Sequence, residues 1–234
     1  MRMRRLLGTA LAAAVATVSL GAVSTAPASA ATGSTKIVGF SSKSWLYGSS
    51  YKSQPGPAAA GDTIYFSIDV VSTTPGVDDP YYGTVKVERK LAGQSTWTTV
   101  ATSTYSGLSG STKAVKNASY RAVYSGGSSS STTWTGSSAT KAVAVQRKIS
   151  YKDVGGNKVV LAGKVAPKYS GKVTILKKQG RSYKPWRTVR TNRKSAFRVG
   201  LPAPRNGKYY WQIKIAAGGG FATSQSEKFY TYSY

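Results

Sequence analysis

The side chains that could carry out chemistry in this chain are almost all basic. Its 234 residues include 33 Lys and Arg against 7 Asp and Glu, with no His and no Cys. A Ser-His-Asp or Cys-His catalytic unit, a Cys/His zinc site and a disulfide therefore cannot be built. Seven carboxylates leave little for acid–base catalysis or for a calcium cage. We predict no enzymatic activity, no metal site and no cofactor.

Two short patterns with catalytic spacing have ordinary explanations. Asp78 and Asp79 are adjacent in a turn rich in Pro and Gly, so their side chains diverge and cannot easily flank one bond. The Ser-x-x-Lys spacing occurs at 49–52 and at 138–141, and its chemistry needs both residues on one helical turn. The first lies in a Gly/Ser segment and the second leads into a predicted strand, so we assign neither to catalysis.

The densest basic segment spans 177–198 and is interleaved with aromatic residues. Its basic members are Lys177, Lys178, Arg181, Lys184, Arg187, Arg190, Arg193, Lys194 and Arg198. Tyr183 and Trp186 lie among them and could stack on a sugar or a base. Guanidinium groups suit forked contacts to phosphate or sulfate, and Lys adds point charge. Three interpretations stay open: recognition of a specific anion, general retention on a polyanion, and a solvated basic face.

The aromatic residue Trp186 has two competing interpretations. It lies three residues before Val189, which should face the core, so simple alternation turns Trp186 outward unless a β-bulge intervenes. The same Trp-x-x-Val spacing recurs at Trp97 and Val100. This recurrence favours two equivalent packed tryptophans, and the alternative is that Trp186 faces a ligand.

The first thirty residues have the pattern of an export signal. Residues 1–5 read MRMRR, residues 6–23 are apolar or small without charge, and Ala28-Ser29-Ala30 is a small-x-small cleavage pattern. We predict secretion with cleavage after Ala30, the alternative being an uncleaved membrane anchor. No second apolar run of spanning length follows, so the mature chain is expected outside the cell, free or retained on the cell wall.

The elements that must position the basic residues are short strands. Alternating apolar and polar runs rich in Val, Ile, Tyr and Thr are bounded by Gly, Pro, Asn or Ser, which is typical of strands. The predicted strand segments are 64–70, 84–88, 97–100, 120–124, 140–145, 158–163, 172–176, 186–190, 196–199, 209–215 and 227–232. No helical stripe is present, which predicts an all-β protein.

The two halves of the chain repeat each other. The matched segments are 85–87 with 173–175, 97–100 with 186–189, and 120–121 with 211–212. Repetition of a unit of about 100 residues suggests two immunoglobulin-like sandwiches in tandem. We predict a signal peptide at 1–30, a first sandwich at 31–145 and a second, strongly basic sandwich at 146–234.

The second half carries the more specific resemblance. Gly-Lys-Val-Thr-Ile-Leu-Lys-Lys at 171–178, Trp186-x-x-Val189, Phe-Arg-Val at 197–199 and Gly-Lys-Tyr-Tyr-Trp at 207–211 resemble the immunoglobulin-like or fibronectin-type-III-like repeats of exported actinobacterial proteins. The match is good over 157–232 and looser over 60–145. The resemblance implies binding, spacer or adhesion modules, with neither a single ligand nor catalytic residues.

Charge divides the halves sharply. Residues 31–145 hold 10 basic and 5 acidic residues, whereas residues 146–234 hold 20 basic and 2 acidic residues, which gives net charges of +5 and +18. Solubility does not require +18 in so short a segment, and the self-repulsion costs stability. A polyanionic surface outside the cell would explain the excess.

These observations predict a secreted, non-enzymatic binding module. Its second domain would hold an anionic polymer of the cell envelope, either a teichoic-type phosphate polymer or an acidic polysaccharide. The alternative is a structural or adaptor subunit of an extracellular protein assembly, such as an adhesin or toxin complex, with a sheet edge as the interface. Nucleic acid is disfavoured as a partner because the chain is exported and has no nucleic-acid-binding motif.

Overall fold

The structure is a computed structural model that describes residues 30–42, 44–48, 54–156 and 158–233. The predicted leader, apart from Ala30, and the Ser-x-x-Lys match at 49–52 lie outside the described residues. Within the described ranges there is no α-helix, and a three-residue 3-10 turn lies at Phe40–Ser42. No helix in those ranges has the length and apolar character needed to cross a membrane. The prediction of an all-β chain is confirmed.

Short strands account for most of the ordered backbone. Those of the N-terminal half are β1 (Ala31–Gly33), β2 (Thr35–Gly39), β3 (Leu46–Gly48), β4 (Ala58–Ala59), β5 (Thr63–Ser72), β6 (Tyr82–Leu91), β7 (Thr98–Tyr105), β8 (Leu108–Lys113), β9 (Ala118–Tyr124), β10 (Gly127–Ser128), β11 (Thr132–Trp134), β12 (Ser137–Val143) and β13 (Val145–Gln146). Those of the C-terminal half are β14 (Lys148–Asp153), β15 (Val160–Ala166), β16 (Lys172–Gln179), β17 (Ser182–Arg190), β18 (Ala196–Gly200), β19 (Tyr209–Ile215), β20 (Ser224–Gln225) and β21 (Phe229–Thr231). Every predicted strand segment overlaps one of these strands.

The N-terminal sheet pair encloses a hydrophobic core. One sheet has β5 at its centre, flanked by β2 and β3 along one edge and by β8 along the other. The facing sheet has the order β12-β9-β6-β7. Strict alternation along β5 and β9 turns Phe66, Val70, Tyr120 and Tyr124 inward, where they are almost completely buried.

The C-terminal sheet pair is built in the same way. A three-stranded sheet has the order β14-β15-β18, and the facing sheet has the order β17-β16-β19, with β20 and β21 both pairing with β19. Its core contains Ile175, Ile213, Ile215 and the fully buried Trp211, whose indole Nε1 donates to Thr231 Oγ1 at 3.0 Å. The indole therefore fills the core without leaving its polar group unsatisfied.

Both sheet pairs follow one topology. The comparison leaves aside β1, β4, β10, β11 and β13, and it counts β2 with β3, and β20 with β21, as one strand each. Along each half, strands one, two and five then form one sheet, and strands four, three, six and seven form the other. The immunoglobulin sandwich has the same division except that its fourth strand joins the other sheet. The predicted all-β sandwich class is therefore confirmed, and the repeated segments fall on equivalent strands: β6 with β16, the start of β7 with β17, and β9 with β19.

The segment that joins the two sheet pairs is buried. Gln146 is fully enclosed, and its Nε2 donates to the carbonyl oxygens of Pro55 and Pro57 at 2.8 and 2.6 Å. Its Oε1 accepts from the backbone nitrogen of Gln225 at 3.2 Å. One side chain thus holds three backbone groups from two distant segments of the chain.

Neighbouring residues extend this contact region between the two sheet pairs, which we call the seam. Gln54 donates to the Arg147 carbonyl at 2.7 Å and accepts from the Ile149 backbone nitrogen at 2.8 Å. The Arg147 guanidinium lies 4.2 Å from the centre of the Phe221 ring and 4.8 Å from that of Tyr169. Phe221 comes from the β19–β20 loop but packs with the N-terminal core. The two sheet pairs therefore share buried residues.

Candidate polyanion-binding surface

The predicted basic cluster does not form one surface. Lys178 and Tyr183 lie on the outer face of the β17-β16-β19 sheet, where they are cross-strand neighbours. Arg193 and Lys194 lie in the loop before β18, and Arg198 lies on β18 in the other sheet, opposite Ala162. The remaining members follow the exposed edge strand β17 and the turn that precedes it: Arg181, Lys184, Arg187 and Arg190.

Lys177 is directed toward the core side of the sheet. It pairs with Trp211 across β16 and β19, and its Nζ lies 3.3 Å from the centre of the Tyr209 ring and 5.6 Å from that of Trp211. The sequence match places Arg89 and Tyr120 at the equivalent positions of the N-terminal pair, and these two are also cross-strand partners. Burial raises the pKa of Tyr120, and the nearby Arg89 guanidinium opposes that rise. A cation beside an inward aromatic is therefore a repeated structural feature.

Trp186 is a packed residue that keeps an exposed edge. The β16–β17 pairing shifts register between Ile175 and Leu176, so Trp186 is the extra residue of a β-bulge. Its ring meets that of Trp211 edge to face, with centroids 5.0 Å apart, and 36% of the residue remains accessible. The packed interpretation fits this contact, which a bulge makes possible despite simple alternation.

Trp97 is not the structural equivalent of Trp186, so that prediction is wrong. Trp97 precedes β7 and lies under two cations, Lys90 and Arg121, at 4.9 and 4.5 Å from its ring. The cause is a difference in register: Val173 faces Val189, whereas Val85 faces Ser103 rather than Val100. A longer connection between β6 and β7 than between β16 and β17 displaces the shared Trp-x-x-Val segment.

A row of tyrosines crosses the outer face of the five-stranded sheet of the C-terminal half. The tyrosine face, as we name it, consists of Tyr183 on β17, Tyr210 on β19, Tyr230 on β21 and Tyr232 just beyond. Tyr210 and Tyr230 are cross-strand partners with ring centroids 6.1 Å apart, and the Tyr230 and Tyr232 centroids are 5.8 Å apart. Tyr210, Tyr230 and Tyr232 are 41–49% exposed. A surface of this kind offers several aromatic rings to solvent at once.

Lysines lie directly over these rings. Lys208 Nζ is 4.2 Å from the centre of the Tyr230 ring, Lys178 Nζ is 5.3 Å from that of Tyr210, and Lys228 Nζ is 5.6 Å from that of Tyr183. Cation–π attraction orients the ammonium groups while leaving them able to contact an anion. Partial burial, with a smaller electrostatic effect of Tyr210, raises the pKa of Tyr183, so that ring stays neutral.

Acidic residues do not compensate this charge. The second half has two carboxylates, Asp153 and Glu227, for 20 basic residues. Asp153 Oδ1 already accepts from the backbone nitrogens of Gly155 and Val160, at 2.9 and 3.0 Å. Among the described residues, no group of three or more acidic side chains is arranged to hold a metal ion. The surface is therefore suited to bind anions rather than cations.

A groove continues from one end of the tyrosine face. It has a volume of about 800 Å³ and lies between the start of β15, the end of β18 and the C-terminal segment. Its lining includes Tyr230, Tyr232, Lys158 and Leu201. An extended ligand on the tyrosine face would have room to continue into this groove.

The tyrosine face was only partly visible in the sequence. The sequence predicts Tyr183 as a stacking residue and 227–232 as a strand segment. The partnership of Tyr210 with Tyr230 was missed, although the alternation of Tyr209, Trp211 and Ile213 against Tyr210 carried the signal. The missing information was which strand pairs with β19.

The N-terminal half provides a contrasting surface. Tyr47 and Tyr65 are exposed on β3 and β5 and stack nearly parallel, with centroids 5.7 Å apart and an interplanar angle of 18°. This pair lies in the half with a net charge of +5.

The two acidic residues of the predicted turn have structural roles: Asp79 Oδ1 accepts from Ser72 N at 2.7 Å, and the Asp78 carbonyl accepts from the Trp134 indole at 2.9 Å.

Comparison with known proteins gives no family assignment. No family model matches the chain, and no curated protein matches it. Solved structures that are similar to it include the human OSCAR ligand-binding domain, with 13% identity, a TM-score of 0.24, and coverage of 79% of this chain and 96% of that one. The chicken CNTN1 FN1–FN3 domains have 14% identity, a TM-score of 0.24, and coverage of 78% and 68%. A structure of the receptor tyrosine kinase Torso has 13% identity, a TM-score of 0.21, and coverage of 86% and 76%. Likenesses this distant carry no inference about function.

Proposed function

We propose that the protein is a secreted binding module whose C-terminal half holds an anionic polymer of the cell envelope, a teichoic-type phosphate polymer or an acidic polysaccharide. The observation that carries the proposal is the net charge of +18 on residues 146–234, against +5 on residues 31–145. Apart from the half-buried Lys177, the basic residues of the 177–198 segment are exposed. Binding in this way requires no catalytic residue.

The distribution of charge supports retention by many weak contacts. Arg187 and Arg190 lie along the β17 edge, Arg198 lies on the opposite sheet, and Lys178 lies on the tyrosine face. Neutralising a polyanion releases its counterions, which favours binding strongly at low salt. The division into domains 31–145 and 146–234 is part of this proposal, with the first domain as a spacer and residues 1–30 as the removed signal peptide.

The alternative role, as a subunit joined through a sheet edge, is less well supported. The exposed edge strand β17 carries Lys184, Pro185 and Arg187. Charged residues and proline on an edge strand are features that oppose pairing with a strand of another protein. We therefore favour a polymer over a protein partner.

Salt-dependent binding of the chain that begins at Ala31 tests the proposal. We expect it to bind poly(glycerol phosphate) or polygalacturonate at low salt, with affinity falling steeply as salt rises. Changing Arg187, Arg190 and Arg193 to Gln should reduce the slope of log affinity against log salt by up to about 3, since each lost phosphate contact removes about one unit. The whole mature chain is used because Gln54 and Phe221 are shared between the two sheet pairs.

A matched variant controls for total charge. Changing Lys36, Lys86 and Lys113 to Gln removes the same charge from exposed positions of the N-terminal half. We expect this variant to retain nearly the parental salt slope. Equal losses in both variants, or binding that salt does not weaken, would reject the C-terminal half as the polymer-binding region.

A further inference from the structure

We infer that the tyrosine face selects an acidic polysaccharide, by stacking of its sugar rings on Tyr210, Tyr230 and Tyr232 while the adjacent lysines bind its acidic groups. This inference rests on the proposed function and narrows it to one of its two polymer classes. It moves the centre of recognition from the β17 edge to the outer face of β19 and β21.

The first support is that each exposed ring has a lysine ammonium group at a similar distance from its centre. A pyranose has an apolar face of C–H groups that packs on an aromatic ring, and polar groups around its rim. Lys208 and Lys178 lie within about 4–5 Å of the Tyr230 and Tyr210 ring centres. Because these lysines lie over the rings in the unbound protein, a sugar that stacks on either ring displaces the ammonium group to the ring edge. There the ammonium group can contact the carboxylate or sulfate of the same sugar.

The second support is that charge alone does not explain the tyrosines. A flexible phosphate chain without rings needs only cations, which the β17 edge and the facing sheet already supply. Yet Tyr210 and Tyr230 keep 41% and 49% of their surface exposed in the middle of a sheet face rather than packing inward. These rings orient the lysines beside them, and their exposed surface contributes contacts of its own when the ligand itself contains rings.

The tilt between neighbouring rings favours a sugar chain over nucleic-acid bases as the ligand. Consecutive bases on a stacking surface are roughly parallel, whereas the Tyr210 and Tyr230 planes meet at 59° and the Tyr230 and Tyr232 planes at 46°. Linked pyranoses can turn relative to one another about each glycosidic bond, so successive units can meet differently inclined rings. The cations at the rings are all lysines, which lack the planar fork that suits phosphate.

The groove beside the face fits a chain rather than a single sugar. Tyr230 and Tyr232 lie both on the tyrosine face and in the lining of the groove of about 800 Å³. Lys158 and Asp153 both line this groove, and Asp153 Oδ1 accepts from the backbone nitrogens of Gly155 and Val160. Lys158 provides a further cation along that path. A polysaccharide crossing Tyr210 and Tyr230 could therefore continue past Tyr232 into the groove.

The test compares two polyanions, one with rings and one without. Polygalacturonate supplies pyranose rings with carboxylates, and inorganic polyphosphate supplies charge alone. Changing Tyr210 and Tyr230 together to Ser should weaken polygalacturonate binding at least about tenfold and change polyphosphate binding less than about twofold. Changing Lys178 and Lys208, the lysines beside Tyr210 and Tyr230, together to Gln should weaken binding of both polymers.

Controls keep the inference separate from folding and from the proposed function. Tyr47 and Tyr65 changed to Ser form the matched tyrosine control and should leave both affinities unchanged, and thermal melts should show that all variants fold. Equal effects of the Tyr210/Tyr230 change on both polymers, or no effect on either, would overturn the inference while leaving the proposed function standing. Parent protein that binds neither polymer would overturn both. Single-stranded DNA bound more tightly than polygalacturonate, with the same dependence on Tyr210 and Tyr230, would assign the face to nucleic acid instead.

Discussion

At the scale of single residues, the two tryptophans that share a sequence spacing have different surroundings. Trp186 meets Trp211 edge to face and stays partly open, whereas Trp97 lies beneath Lys90 and Arg121. The residue that anchors the C-terminal core is instead Trp211, which has no accessible surface. Burial, and not sequence spacing, sets how much each ring contributes to the free energy of unfolding.

Alanine substitution of these rings should rank them by burial. We expect Trp211→Ala to lower the free energy of unfolding by about 3–5 kcal/mol, because it opens a large cavity in a closed core. Trp186→Ala should cost about 1–2 kcal/mol, from partial burial and one aromatic pair. Urea denaturation of both variants measures the difference, and equal losses would contradict the partial exposure of Trp186.

At the scale of elements, the β16–β17 hairpin depends on a specific turn. Gln179 pairs with Ser182, which leaves Gly180 and Arg181 as the two turn residues. Gly180 has a φ of 59°, in the left-handed region that glycine adopts without steric cost. Tight hairpin turns favour glycine at this first position because their twist then matches that of the strands. The turn therefore fixes the register that places Lys178 opposite Tyr183.

Substitution of Gly180 tests whether the turn requires a left-handed backbone conformation at this residue. At both Gly180 and Gly200 an added methyl group would meet open space, but only Gly180 has a positive φ. We expect Gly180→Ala to lower the free energy of unfolding by about 1–2 kcal/mol. Gly200→Ala, the matched control, should be neutral or slightly stabilising. Thermal melts that shift equally for the two variants would argue against the left-handed turn.

The strands also show how much of the fold the sequence predicts. Strands with clear alternation, such as β5 and β9, were predicted because one face of each enters the core. Strand β8 was missed, since Leu108–Lys113 has little apolar surface and is held by its ladder with β5. Strand β14 was missed because Lys148 and Lys152 obscure the inward Ile149 in a segment predicted as a boundary. Pairing between distant strands decides such segments, and a single sequence does not contain it directly.

The candidate surface follows the same rule. Composition and charge identify the more basic half of the molecule, because a net charge of +18 is visible without a structure. Which basic residues lie beside Tyr210 and Tyr230 depends on the pairing of β19 with β16 and β21, across separations of many residues. The sequence therefore predicts that the surface of the C-terminal half is basic, but it does not predict which basic residues lie beside the exposed tyrosines.

At the scale of the whole molecule, Gln146 links the two sheet pairs. Replacing it with Ala removes the partner of the Pro55 and Pro57 carbonyls and of the Gln225 backbone nitrogen, in three part-buried hydrogen bonds. We expect Gln146→Ala to lower the free energy of unfolding by about 2–4 kcal/mol, since each lost hydrogen bond costs about 0.5–1.5 kcal/mol. We also expect the parent to unfold in one calorimetric transition and the variant in two. A parent that already shows two transitions would contradict coupling through the seam.

The buried seam also bears on resistance to proteolysis, which matters if the protein is secreted as proposed. Proteases that cut after basic residues would find targets throughout so basic a chain, and cleavage at the dibasic pair Arg147-Lys148 would separate the strongly basic half from the rest. In the folded protein the Arg147 side chain is only 8% exposed, its carbonyl accepts from Gln54, and Lys148 begins a paired strand. A protease needs an accessible, locally unfolded segment in its active site. The junction is therefore protected as long as the fold persists, and cleavage between the two halves requires this segment to unfold locally first.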